Sequence, residues 1–160
     1  MKHGQQFYRE LAAHYDTLFP LDSETVEFLE RKASPGGPVL DAACGTGGHV
    51  LALLGHDIEA FGIDNSPEMI ELAQDRQAGR FSEMDMRNLD THEKAPFSLV
   101  YSIGNSISHL PLLGDVARFL TASYNALETQ GVAVFQIIDV SDLDPGTVLP
   151  LATLKGKDVS

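Results

Sequence analysis

Short apolar segments alternate with amphipathic segments along residues 38–138 of the sequence. The apolar segments predict five strands, at 38–41, 58–63, 80–84, 97–103 and 131–138. The amphipathic segments predict three helices between them, at 47–54, 67–78 and 116–127. Strands that are apolar throughout and separated by helices are typical of a parallel sheet with right-handed crossovers. The sequence therefore predicts an α/β fold, a doubly wound, mostly parallel Rossmann-like sheet with helices on both faces.

A linker-like segment, Ala-Ser-Pro-Gly-Gly-Pro at 33–38, separates this alternating region from an N-terminal part. That part contains two amphipathic pieces, near 4–18 and 23–31, with Ser23 suited to begin the second helix. The sequence thus predicts a helical N-terminal part over 1–37 and a core over 38–139. Residues 140–160 contain Pro145, Gly146 and Pro150 and are predicted to be an irregular tail.

Length and charge limit the kinds of partner this chain can have. A chain of 160 residues suits one domain with a single core. Acidic residues number 23 against 11 basic ones, and the net charge of −12 repels a polyanion, so a nucleic-acid partner is disfavoured. The single cysteine, Cys44, excludes an intrachain disulfide framework and favours a cytoplasmic location. Because no long apolar run occurs, we expect no membrane span.

The strongest local motif is the run Val-Leu-Asp-Ala-Ala-Cys-Gly-Thr-Gly-Gly at 39–48, a strand that leads through small residues into a helix. Such a turn lets a nucleotide-like ligand approach the backbone and the helix start. Gly45 and Gly47 resemble the beginning of a dinucleotide fingerprint, but Val50 stands where its third glycine would be. Asp41 at the strand end would also repel a pyrophosphate. A ligand with positive charge, such as S-adenosylmethionine with its sulfonium and ammonium groups, suits this turn better.

Two further acidic residues follow predicted strands. Asp64 ends the second strand about twenty positions beyond the glycine turn, where a carboxylate can accept hydrogen bonds from ribose hydroxyls. This spacing alone does not separate an adenosyl donor from NAD. Asp85 and Met86 follow the third strand and could accept an adenine amino group and pack on its ring, although a solvated loop is an equal interpretation. His49, His56 and His92 are interpreted as surface or helix-end residues.

In combination, these motifs resemble the class I S-adenosylmethionine-dependent methyltransferases, from about Tyr8 to Asp139. The resemblance implies that Ala43 to Gly45 meet the methionine part of the donor, Asp64 the ribose, and Asp85 with Met86 the adenine. Tyr15 is similar to a residue of the N-terminal helix that closes over the donor in small-molecule members. The donor-binding residues that the resemblance implies are Tyr15, Asp41, Ala43, Cys44, Gly45, Asp64, Asn65, Met69, Asp85, Met86 and Ile103.

The run Gly-Asn-Ser-Ile-Ser-His-Leu at 104–110 is similar to a segment of glycine and sarcosine N-methyltransferases. It follows the fourth strand, at the switch point where ligands bind, so Asn105 and His109 are candidate catalytic residues on the acceptor side. A turn-capping role for Asn105 and a structural role for His109 are the alternatives. Those enzymes hold the substrate carboxylate with an Arg followed by Asn, where this chain has Gln136 to Asp139.

The sequence therefore predicts an S-adenosylmethionine-dependent methyltransferase that acts on a small-molecule nucleophile such as an amine, with no metal ligand set. An NAD-dependent oxidoreductase and a non-catalytic nucleotide-binding module of the same fold are the alternatives. Similar methyltransferases continue past the fifth strand through a helix and an antiparallel hairpin. Since residues 140–160 carry no such pattern, we expect the C-terminal strands to be missing, either because the chain is a fragment or because that part lies outside this sequence.

Overall fold

A computed structural model describes residues 15–139 of the chain. Within them it has five α-helices, at Tyr15–Leu18 (α1), Ser23–Lys32 (α2), Gly48–Gly55 (α3), Pro67–Arg76 (α4) and Leu113–Ala126 (α5). The five strands of this part are Val39–Ala42 (β1), Ala60–Asp64 (β2), Phe81–Glu83 (β3), Phe97–Ser102 (β4) and Leu127–Phe135 (β5). The described part also contains two 3-10 helices, at Met86–Thr91 and Ser106–His109.

The five strands form one parallel sheet in the order β3-β2-β1-β4-β5. In the centre, Leu40 of β1 pairs with Phe61 of β2 on one side and Val100 of β4 on the other. The chain order reverses between β1 and β4, and in such sheets ligands bind at the carboxyl ends of the strands beside this reversal. The doubly wound parallel fold predicted from the sequence is confirmed.

Side chains alternate along β1, and they build a core on each face of the sheet. Val39 packs in a cluster with Val50 of α3 and other residues on that face. Leu40 packs in the other cluster, which includes Phe119 of α5. All four side chains are fully buried, and each contributes on the order of 2 kcal/mol through its burial. The two cores fix β1 rigidly, so the residues at its carboxyl end are held in place.

Side chains next to the helix starts explain where two helices begin. Asp22 caps α2, because its carboxylate accepts hydrogen bonds from the backbone N–H groups of Glu24 and Thr25. Ser66 caps α4 by accepting from the N–H of Met69 at 3.4 Å, with Pro67 at the first helical position. The start of α4 therefore agrees with the sequence prediction.

The main differences from the predicted elements lie after β4. Helix α5 begins at Leu113 rather than 116, and β5 begins at Leu127 rather than 131, directly after the helix ends. The pairing of β5 with β4 slips between Phe97 and Leu99, so a bulge absorbs the polar residues that the prediction placed in a loop. Strand β5 ends at Phe135, before the predicted end at 138. The N–H of Gln136 still donates to the carbonyl of Ser102 in β4, whereas the N–H of Ile138 donates to the Asn105 side chain.

The remaining boundaries of the predicted elements, including β3, differ from prediction by two residues or fewer. Neither 3-10 helix was predicted. Of the predicted N-terminal helix near 4–18, only Tyr15–Leu18 lies within the described residues, and the tail over 140–160 lies outside them. In the described part, no helix is both long and apolar enough to cross a membrane.

Candidate functional site

The turn between β1 and α3 has an unusual backbone conformation. Ala43, Gly45 and Gly47 all have positive φ, at 73°, 55° and 83°. A Cβ on Gly47 would lie 2.5 Å from the ring of Phe81, so both the conformation and the space require glycine there. The N–H groups of Ala43 and Cys44 both donate to the carbonyl of Ile63, at 2.8 and 2.9 Å. The turn is therefore strained but firmly held against the end of β2.

Asp64 joins the end of β2 to this turn. One carboxylate oxygen accepts from the N–H of Gly45 at 2.8 Å, and the other accepts from the N–H of Ser66 at 2.9 Å. Burial raises the pKa of Asp64 above its ordinary value, although the backbone hydrogen bonds act in the opposite direction. Each oxygen keeps acceptor capacity, so the carboxylate can also bind hydroxyl groups of a ligand in the crevice.

Asp41, at the carboxyl end of β1, is a buried carboxylate without a cationic partner. It is 2% exposed, and none of the lysines and arginines within residues 15–139 forms an ion pair with it. Burial, and then the negative charge of Asp64, raise its pKa well above the usual range, while the neighbouring hydroxyl of Tyr101 opposes this. That hydroxyl is buried but lies outside hydrogen-bond geometry with any partner in the described residues. A positively charged ligand in the cavity would reduce the free-energy cost of burying the Asp41 carboxylate and that of leaving the Tyr101 hydroxyl without a partner.

A cavity of about 620 Å³ opens over Asp41 and the turn, a size typical of small-molecule sites. It brings together five of the sequence-predicted donor residues, namely Tyr15, Asp41, Ala43, Cys44 and Ile103. Its other lining residues are Asp16, Phe19, Pro20, Leu21, Asp22, Thr25, Thr46, Gly48, His49, Arg76, Gly104 and Gln136. Predicted site residues outside its lining are Gly45, Asp64, Asn65, Met69, Asp85, Met86, Asn105 and His109. The cavity thus covers the β1 and β4 ends but not the β2 and β3 ends.

Asp85 is held by Arg87 rather than left open. The Arg87 side chain donates from Nε to both carboxylate oxygens, at 2.9 and 3.1 Å, and from Nη1 to Asp115 at 2.6 Å. The hydrogen bond from Arg87 lowers the pKa of Asp85, so its carboxylate is ionised at neutral pH. An adenine amino group at Asp85 would have to share these oxygens with Arg87.

Three other predicted donor residues have buried side chains. Met69 is 2% exposed, and Cys44 and Met86 are each 8% exposed. Burial raises the pKa of the Cys44 thiol well above its usual range, so this thiol stays protonated and is not a nucleophile. These residues can therefore shape the floor of the crevice, whereas Asn65 is exposed.

Asn105 ties the end of β4 to the chain that follows β5. It has φ 64°, and its amide donates to Ser108 Oγ at 2.9 Å and accepts from the N–H of Ile138 at 3.1 Å. Beside it, the N–H of Gly104 donates to the Gln136 side chain at 2.7 Å. The Asn105 side chain caps no N–H of the 3-10 helix, but it has a structural role because it holds the segment after β5. Its acceptor-side role stays a prediction. His109, at the end of the same 3-10 helix, is exposed.

Four of the cavity-wall residues that were not predicted as site residues have polar side chains that bear on its chemistry. His49 was interpreted as a surface residue, but it lines the cavity half-buried, and burial lowers its pKa. Thr46, Asp16 and Arg76 meet there although they come from separate elements. Arg76 in the last turn of α4 has only the local signal of a residue that favours a helix C-terminus. Within the described residues, no group of three or more His, Cys, Asp or Glu is placed to hold a metal ion.

Residues 39–131, which include β1, the turn, Asp64 and most of β5, match the protein family described as "Methyltransferase domain". The chain belongs to this family. A glycine/sarcosine N-methyltransferase from Parasynechococcus marenigrum is 34% identical over 140 residues, which cover 81% of this chain and 50% of that protein. The resemblance to class I methyltransferases that the motifs indicated is thus confirmed.

Solved structures of methyltransferases share the fold. The sugar N-methyltransferase KedS8 from Streptoalloteichus has a TM-score of 0.65 and 31% identity, over 82% of this chain and 51% of that one. CalS10, an amino pentose methyltransferase from Micromonospora echinaspora solved with S-adenosylmethionine bound, has a TM-score of 0.61 and 22% identity, over 84% and 52%. The chain spans about half the length of these relatives.

Proposed function

We propose that this chain forms the donor-binding part of an S-adenosylmethionine-dependent methyltransferase that methylates a nitrogen atom of a small molecule. The observation that carries the proposal is the buried Asp41 carboxylate, which faces the cavity with no cationic partner among the described residues. Family membership supports the reaction class. CalS10, which shares the fold, was solved with this donor bound.

The residues at the strand ends fit the donor's chemical groups. S-adenosylmethionine supplies an activated methyl group on a positively charged sulfur and also carries an ammonium group. Asp41 offers these positive charges a carboxylate that has lost its hydration, where attraction is stronger than in water. Asp64 would accept hydrogen bonds from the ribose, and the turn at Gly45 lets the backbone approach the ligand.

The transfer itself requires alignment and exclusion of water more than a strong acid or base. Tyr15 lines the cavity next to the glycine turn, and a Cβ built on Gly45 would lie 3.3 Å from its ring, so this ring can help to exclude water there. The acceptor nitrogen must arrive without its proton, because its lone pair forms the new bond to carbon. His49, whose pKa is lowered by burial, is neutral at pH 7 and can receive a proton at a ring nitrogen inside the cavity. His109, in the 3-10 helix that follows β4, is proposed as the second acceptor-side residue.

The charges of the cavity wall favour an amine over a carboxylate acceptor. Among the described residues, the wall contains three carboxylates, those of Asp16, Asp22 and Asp41. The one arginine or lysine among these lining residues is Arg76, which is already paired with Asp16. A carboxylate substrate would find no unpaired guanidinium in the described lining. KedS8 and the Parasynechococcus relative are both named N-methyltransferases, which supports nitrogen as the acceptor atom.

Calorimetric titration of the chain tests the donor assignment. We expect S-adenosylmethionine and S-adenosylhomocysteine to bind and NAD to give no heat above dilution, because NAD brings a pyrophosphate towards Asp41. Tight NAD binding without a response to either adenosyl ligand would contradict the proposal and favour an oxidoreductase. Transfer of labelled methyl groups to amines, but not to matched alcohols or carboxylates, tests the acceptor class.

A further inference from the structure

Tyr15 and Asp16 of α1 lie against the glycine turn, although the turn residues that they contact are distant from them in the sequence. A Cβ built on Gly45 would be 3.3 Å from the Tyr15 ring, so the ring rests directly on the turn. The Tyr15 ring also packs against Phe19, with centroids 5.0 Å apart. Neither contact fixes the direction of α1 over the turn, since both are apolar and permit sliding.

Asp16 makes the directional contacts. Its Oδ1 accepts from Thr46 Oγ1 at 2.6 Å, and its Oδ2 accepts from Arg76 Nη2. Arg76 Nη1 in turn donates to the backbone carbonyl of Thr46 at 3.2 Å. The three residues close a ring of hydrogen bonds that joins α1, the glycine turn and the last turn of α4. Charge-assisted bonds of this kind are stronger and more directional than neutral ones.

Asp16 is ionised in this ring at neutral pH. Burial raises its pKa, but the hydrogen bonds from Arg76 and Thr46 and the charge of Arg76 outweigh it, so the pKa lies below the ordinary value. The two charged side chains remain 46% and 39% exposed, so water competes for the pair and the ring can open. A closure over a ligand must also be able to open so that the ligand is released. The ring of hydrogen bonds suits this role because it lies over the turn and is partly exposed to water.

We propose that Asp16, Thr46 and Arg76 form a latch that holds Tyr15 over the donor turn, so that Asp16 and Arg76 are positioning residues for donor binding. This inference rests on the proposed function. When the latch is closed, Tyr15 covers the bound donor. Without the latch, α1 is closed for a smaller fraction of time, and the apparent affinity falls in proportion to that fraction.

A second ion pair provides a matched control. Arg80 lies 3.6 Å from Glu59, with side chains 31% and 55% exposed, and neither residue lines the cavity. If Arg76 served only the general stability of the fold, Arg76→Gln and Arg80→Gln would have similar effects. The latch predicts that only the first variant changes donor binding.

The test is calorimetric titration of the chain with S-adenosylhomocysteine, together with melting temperatures. We expect Arg76→Gln and Asp16→Asn each to weaken binding by about fivefold to tenfold. The double variant should bind no more weakly than the single variant with the lower affinity, because both changes open the same latch. Arg80→Gln should bind within about twofold of wild type. Arg76→Lys, which keeps the charge, should retain most of the affinity. In a Tyr15→Ala background, Arg76→Gln should have no further effect, because the latch acts through Tyr15.

Three results would overturn the latch. If Arg76→Gln bound S-adenosylhomocysteine as tightly as the wild-type chain does, the latch would be contradicted and the proposed function would be unaffected. An equal loss of affinity from Arg76→Gln with and without Tyr15 would show that Arg76 acts by another route. Equal losses from Arg76→Gln and Arg80→Gln would assign both to general stability. Absence of binding by the wild-type chain would instead overturn the proposed donor, and the latch with it.

Discussion

The carboxyl edge of the sheet has two halves, and their polar side chains differ in the partners they have within the protein. In the donor half, at the ends of β1 and β2, burial raises the pKa values of Asp41 and Asp64. Asp64 is half-buried and accepts from two backbone N–H groups, whereas Asp41 is buried and has no cationic partner among the described residues. In the acceptor half, at the ends of β4 and β5, Asn105 and Gln136 make hydrogen bonds to nearby backbone groups. Buried charge without a protein partner indicates a ligand, whereas satisfied polar groups indicate a fold contact. The donor half is therefore the part whose chemistry can be inferred.

The largest expected effect of a single change lies in the donor half, at Asp64. Asp64→Ala removes the acceptor of two ribose hydroxyls and should cost on the order of 3 kcal/mol, about a hundredfold in donor affinity. Asp90→Ala, at an exposed position away from the crevice, is the control and should leave affinity unchanged. Titration of both variants with S-adenosylhomocysteine measures the difference. Small and equal effects would remove Asp64 from the site.

The next effect concerns the turn itself. Gly47→Ala combines a left-handed φ of 83° with a Cβ placed 2.5 Å from the Phe81 ring, so we expect a loss of about 2 kcal/mol or more in the free energy of unfolding. Gly55→Ala is the control, because a Cβ there meets nothing within 4 Å. Urea unfolding compares the two variants. A harmless Gly47→Ala would contradict the tight packing described for the donor half.

Asp41→Asn should separate stability from binding. The raised pKa means that the folded state binds the proton more tightly than the unfolded state, so this carboxyl lowers stability as pH rises from its ordinary pKa of 3.8 to its raised value. Without donor, Asp41→Asn should therefore be more stable than wild type at pH 7, by about 1 kcal/mol or more, but no more stable at pH 3. Donor binding should weaken in the same variant. Melting curves at the two pH values measure the stability change, and destabilisation at pH 7 would contradict the absence of a partner for Asp41.

In the acceptor half we expect a smaller effect, and on the fold. Asn105→Ala loses side-chain hydrogen bonds and puts alanine, which tolerates the left-handed region less well than asparagine, at φ 64°; together these changes should lower the free energy of unfolding by about 1 kcal/mol. Asn105→Gly restores the backbone freedom but not the bonds and should recover part of the loss. Donor affinity should stay unchanged in both. A strong loss of donor affinity with normal stability would place Asn105 in the donor half instead.

The sequence predicts the strand, turn and helix positions of the donor half well because their signals are local. Strand β1, the glycine turn and Asp64 are read from alternation, small residues and strand-end position within 26 residues. The direct passage from α5 into β5 at Leu127 has no loop residues, so the boundary prediction failed there. The contact of Asp16 with Arg76 joins residues 60 positions apart, and no local pattern indicates it. A pairing between residues so far apart in the sequence forms only when the helices that carry them pack together, so it is visible in the structure and not in the sequence.

Nuclear magnetic resonance titration with S-adenosylhomocysteine compares the two halves in one measurement. Backbone amide signals of an isotope-labelled chain report which residues the ligand approaches. We expect the largest chemical-shift changes in residues 41–48 and 62–66 and the next largest at Tyr15 and Asp16. Changes along the outer face of α5 should be small. Shifts confined to α5 or to the end of β5, with the glycine turn unmoved, would contradict a donor site at the carboxyl ends of β1 and β2.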